Sequence, residues 1–184
     1  NENRRRIKMI KYFALAGLLL SLNTLQAQVL SFDHGKIELY TASVLSDIDG
    51  VTEKANVKLD IQTGNIEVTI DIKSFEFEYE LMQEHFNEKY MESYKFPQAT
   101  FKGKISQDVS DITDELKVDA TGGLTIHGVK REIEVEASIS KKEGYTIVKS
   151  KIPVVFKNYK VDEPSILTKS IAKDVEIKST FYLK

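Results

Sequence analysis

The chain predicts an all-β fold, an antiparallel barrel of about eight strands, with one amphipathic helix inserted between two of them. Three observations carry this reading. Hydrophobic residues alternate with polar ones along most of the chain, as on strands with one dry face. The alternating runs recur at spacings of roughly 8 to 15 residues, which favours a sandwich or barrel over βαβ units. Helical periodicity appears once, in the stretch that ends at Pro97. A closed sheet also removes the exposed edges that so many strands would otherwise present, so a barrel is the favoured architecture.

The elements follow in order. Val57, Leu59 and Ile61 alternate, Gly64 and Asn65 supply a turn, and Ile66, Val68, Ile70 and Ile72 alternate again, which is a hairpin. In "LMQEHFNEKYMESYKF", Met82, Phe86 and Tyr90 fall in one row of a helix with Leu81, His85 and Tyr94 beside it. Gln83, Glu84, Asn87, Glu88 and Glu92 face away. Pro97 drives Phe96 into extended geometry and ends the helix. Beyond it Ala99, Phe101, Gly103 and Ile105 alternate, as do Leu116, Val118 and Ala120. In "GGLTIHGVKREIEVEASI" a His127-Gly128 turn separates Leu124 and Ile126 from Ile133, Val135, Ala137 and Ile139. Two further strands lie in "YTIVKSKIPVVFKNY" and "DVEIKSTFYL".

Residues 1–27 read as a secretory signal peptide. Arg4, Arg5, Arg6, Lys8 and Lys11 form a basic start, Tyr12 to Leu22 an apolar run, and Leu25-Gln26-Ala27 a cleavage site. The run is about half of what a spanning helix needs. Met9 serves equally well as the start of the signal, and no cysteine at the junction offers a lipid anchor. Removing the leader leaves 21 basic against 27 acidic residues, a net charge near −6, in a single domain, residues 28–184, with no linker or repeat. The expected location is the periplasm or the exterior. With no cysteine in the chain, stability rests on packing, and thiol chemistry and thiolate metal sites are excluded.

The sequence offers little to a catalyst. Three histidines and no cysteine make a nucleophile–base pair hard to assemble, so no catalytic residue is assigned and an enzyme is not expected. "HFNE" from His85 is not the two-histidine zinc pattern, and "DIDG" from Asp47 lacks the later ligands of a calcium loop, so no metal and no cofactor are expected. His127 is expected to bond backbone across its own turn. Scattered Lys and Arg form no basic stripe in the body of the chain, so nucleic acid is not an expected partner.

The interior of a barrel of this size is either filled by side chains or wide enough for one ligand. Phe75, Phe77, Phe101, Val155 and Phe156 are expected to face inward by alternation. The helix would plug the end or form a lid, with Leu81, Met82, Phe86 and Tyr90 on the apolar side, Met and Phe being adaptable to an apolar guest. Together, "KSFEFEYELMQEHFNEKYMESYKFPQATFKGKI" and "GGLTIHGVKREIEV" resemble the YceI-like family, from about Phe32 to Tyr182. That resemblance implies a lipocalin-like, secreted barrel binding a polyisoprenoid, an isoprenoid quinone or another lipid as its hydrophobic small-molecule partner. A structural or stress-related barrel with a filled core and a protein partner on its surface is the alternative. Monomer and homodimer remain equally open on the sequence.

Overall fold

A computed structural model of the chain describes residues 28–40, 50–161 and 174–184; the leader, Asp47 and Asp49 lie outside them. The strands are β1 (Val29–Tyr40), β2 (Gly50–Thr52), β3 (Ala55–Asp60), β4 (Asn65–Asp71), β5 (Glu76–Phe77), β6 (Gln98–Ile105), β7 (Leu116–Ile126), β8 (Val129–Lys142), β9 (Tyr145–Val155) and β10 (Asp174–Leu183). Eight of them close a barrel in the order β1-β3-β4-β6-β7-β8-β9-β10, every neighbouring pair antiparallel, with β10 returning to pair with β1. The expected eight-strand barrel is therefore the architecture found. β2 and β5 form a spur: β2 pairs with Ile37 to Leu39 of β1, and β5 pairs with β2.

Turn chemistry explains the tight connections. After β3 the Asp60 carboxylate accepts hydrogen bonds from the N–H groups of Gln62 and Thr63 at 2.9 and 3.2 Å, and Gly64 takes φ +74. Between β7 and β8 the two turn residues, His127 and Gly128, both adopt positive φ, 50 and 72, the twist that a two-residue hairpin needs. Gly103 and Gly122 face one another across β6 and β7, and a Cβ on Gly122 would come within 2.4 Å of the Gly103 backbone. Among the described residues, Pro153 sits where β9 pairs with β10 alone, because β8 pairs with β9 no further than Ser150. Its missing N–H costs the ladder nothing there.

The helix is shorter than its periodicity predicts. An α-helix, α1 (Glu80–His85), passes into a π turn over Phe86–Tyr90, and the chain then turns at Glu92, φ 41. Packing explains the change. Phe86 and Met91 are both buried, yet residues five apart on an α-helix point about 140° apart. The wider π turn, closed by the Met91 N–H to the Phe86 carbonyl at 2.9 Å, brings both to the core side. Gln83, expected to face away, instead accepts from the Phe77 N–H at 3.2 Å and donates to the Phe75 carbonyl at 2.8 Å, stitching α1 to β5.

The two ends of the barrel differ. At the lower end lie the β3–β4 turn and the 106–115 connection, whose Val109 and Ile112 are buried and whose Gln107 binds Asp119 in two hydrogen bonds of 2.9 and 3.1 Å. Leu59, Ile139 and Leu183 have no exposed surface there. The upper end carries the β5–α1 insertion, the His127–Gly128 turn and a 3-10 turn (Phe156–Tyr159). Val155 points out of the barrel, the inward position being its neighbour Val154, because the alternation of β9 buries Thr146, Val148 and Val154.

Candidate functional site: an apolar cavity inside the barrel

The middle and upper barrel hold an apolar cavity that is partly open, about 800 Å³ of space counted together with the solvent at its mouth. Its walls come from seven of the eight barrel strands: Ile37 on β1, Ile66, Val68 and Ile70 on β4, Ala99, Phe101 and Ile105 on β6, and inward residues of β7 to β10. No charged side chain is among them. The hollow has a local cause. Inward positions that a filled core would give to large residues hold Ala99, Ala120, Ala137, Ser150 and Ser179. Ile70, Ala137, Ser150, Ile152 and Ile177 also face inward yet are only half-buried, because part of their surface borders free space rather than other side chains.

A pair of facing hydroxyls stands in this wall. Ser150 and Ser179 stand opposite one another on β9 and β10, their hydroxyl oxygens 2.7 Å apart. Below them Val148 and Phe181 are fully buried; above them Ile152 and Ile177 are half-buried. The pair marks the level at which packed core gives way to hollow.

The upper end is built separately. Phe86 meets Phe75 edge-on at 5.5 Å between ring centres and Phe77 at 4.8 Å, a cluster that anchors the insertion. A second tie joins the insertion to the β7–β8 turn. His127 Nε2 donates to Glu92 Oε2 at 3.0 Å, since an ionised carboxylate can only accept, and Phe96 packs on the imidazole at 4.3 Å. Lys95 also donates to Glu92. The Lys95 ammonium and the His127 ring hold the Glu92 carboxyl below the usual glutamate range, against an opposing effect of burial. His127 therefore bonds a side chain 35 residues away, not the backbone of its own turn, and its buried Nδ1 has no partner among the described residues.

The eight residues singled out in the sequence separate in space. Phe101 lines the cavity, its ring lying along Gly103. Phe75, Phe77 and Phe86 form the aromatic anchor above it. Tyr90 is half-buried beside His85, and burial raises its phenol pKa. Met82 and Phe156 are half-buried, Phe156 against the core at the start of the 3-10 turn. Leu81 is 61% exposed. Sequence reasoning passed over most of the aliphatic wall as lining and both serines; the available signal was the run of small residues at inward positions.

Comparison with known proteins agrees with this architecture. The family described as the YceI-like domain matches residues 24–183. Among solved structures, a polyisoprenoid binding domain from Saccharophagus degradans superposes with a TM-score of 0.73 at 12% identity, covering 84% of this chain and 97% of that one. Burkholderia cenocepacia BcnA gives 0.68 at 20% identity, covering 80% and 95%. The Campylobacter jejuni YceI protein gives 0.51 at 22%, covering 71% and 81%. No curated protein matches the chain in sequence. At these identities the likeness to solved structures establishes the fold.

Proposed function

Because this chain belongs to the YceI-like domain family, we propose that it is an exported carrier holding an apolar or amphiphilic small molecule, a polyisoprenoid, an isoprenoid quinone or another lipid, inside its barrel. The observation that carries the reading is the hollow: a chiefly aliphatic wall, uncharged among the described residues, in a barrel whose lower end buries Leu59, Ile139 and Leu183 completely. An empty cavity forfeits the contacts that a filled core would make, and an apolar guest restores them. An ionised guest would lose its hydration with no charge to replace it. The likeness to a domain that binds polyisoprenoids supports the chemistry. Burial contributes about 0.8 kcal/mol per methylene, against an association cost on the order of 4 to 15 kcal/mol. Tight retention therefore requires several prenyl units or a fatty chain of comparable length.

The proposed role is binding, which the family and the likeness to a polyisoprenoid binding domain support. Export follows from residues 1–27, with the mature chain beginning at Gln28 in the periplasm or outside the cell. Organic extraction of protein purified from its native host, followed by mass spectrometry, tests the carrier: a hydrophobe at near-stoichiometric amount is expected, and an empty extract from protein that also takes up no added lipid refutes it. The N-terminal peptide mass of the exported protein tests the leader. Retention of residues 1–27 would rule out cleavage.

A further inference from the structure

The serine pair has a hydrogen-bonding capacity that the protein leaves unfilled. Two hydroxyls carry two O–H donors, and their mutual contact at 2.7 Å uses one of them. Among the described residues neither hydroxyl has another partner. The spare donor lies in the cavity wall, flanked by Ile37 and Ala137 on the adjoining strands, with Ile152 and Ile177 above and Val148 and Phe181 below. An unused donor in apolar surroundings is costly, and a guest atom that accepts from it removes that cost. The acceptor has to be neutral. Among the described residues no cationic side chain lines the cavity to balance a carboxylate or phosphate, and a single hydroxyl donor does not replace the hydration of an ion.

Its height in the barrel adds a direction. Ser179 lies five positions along β10 from Asp174, the first described residue of the strand at the upper end, about 17 Å of strand at ~3.4 Å per residue. An oxygen at the outer end of a long guest would stay near the rim. Only an oxygen carried on the inserted end reaches the serines.

Resting on the carrier reading, we infer that the guest carries a neutral hydrogen-bond-accepting oxygen (an alcohol, ether, ester or quinone carbonyl) on its inserted end, and that Ser150 and Ser179 receive it. The pair makes the cavity selective for oxygenated apolar chains over bare hydrocarbon and over ionised lipids.

The test uses the mature chain, a fluorescent apolar dye in the cavity, and three competitors that differ only at one end: farnesol, its hydrocarbon analogue farnesene, and ionised farnesoate. The parent protein should prefer farnesol to farnesoate. The ratio of farnesol to farnesene affinity should fall roughly 2- to 10-fold in the Ser150→Ala/Ser179→Ala double variant, the range that one net hydrogen bond supplies. An unchanged ratio overturns the inference while leaving the carrier intact. Failure of all three competitors and the dye to bind the parent overturns both. Should the double variant not fold, Ser179→Ala alone gives the same comparison. A parent that ranks farnesoate first refutes the inference without any variant.

Discussion

Replacing Ala137 with leucine should stabilise the ligand-free barrel and weaken its hold on a guest. Ala137 faces inward on β8, paired with Val118 of β7 and Ser150 of β9, all three on the cavity wall, and it is only half-buried because its methyl borders open space. Leucine adds three carbons. At about 0.8 kcal/mol each they contribute ~2.4 kcal/mol, less ~0.5–1 kcal/mol for the side-chain freedom lost, a net gain of about 1.5 kcal/mol. With a urea m-value of about 2 kcal/mol/M, the midpoint should rise by ~0.7 M. The same carbons occupy volume that a guest would use, so apolar dye uptake should fall about ten-fold or more. Urea unfolding and dye titration on the same preparations read both. A filled barrel has the opposite sign, since forcing methylenes into packed side chains costs about 1–3 kcal/mol. Destabilisation of that size with unaltered dye uptake would refute the hollow.

Phe86→Ala should act through stability instead. Its ring is buried between Phe75 and Phe77 and does not line the cavity, so unfolding should become easier by about 3–5 kcal/mol, with dye uptake per folded molecule close to the parent's; a selective loss of uptake at unchanged stability would contradict this placement. Glu92 should give the insertion an acid limit. A carboxyl whose pKa is depressed on folding contributes stability that is present above its unfolded pKa and is lost as pH falls through the folded value. With Glu92 held low by Lys95 and His127, the amide protection factors across residues 80–96, corrected for the pH dependence of intrinsic exchange, should fall as pH drops below the ordinary glutamate range. Glu92→Gln should flatten that dependence, and identical acid limbs in the two proteins would show that the tie is not electrostatic. Gln83→Ala should loosen α1 from β5 by removing both of its backbone contacts, visible as faster exchange in α1 with the barrel strands unchanged; protection of α1 equal to the parent's would show that the aromatic anchor alone holds it.

Much of the barrel was legible in one dimension. Period-2 alternation depends only on neighbouring residues, since successive side chains on a strand take opposite faces, and Gly64, His127 and Gly128 mark turns whose backbone angles few other residues adopt. The places of β3, β4 and β6 to β10 and of the insertion follow from those signals, as does the resemblance carried by "YKFPQATFKGK" and "LTIHGVKREIEV", whereas β1 went unread. The phase and partners of side chains across the barrel do not. Whether Val154 or Val155 faces inward depends on how β9 registers against β10, and helical periodicity carried past Phe86 could not anticipate a π turn imposed by burying both Phe86 and Met91. The His127–Glu92 tie and the Ser150–Ser179 pair join residues 35 and 29 positions apart, contacts that exist only once the sheet has closed. The cavity is the clearest case: the sequence contains Ala99, Ala120, Ala137, Ser150 and Ser179, but only closure places these small side chains around one volume, where together they fall short of filling it.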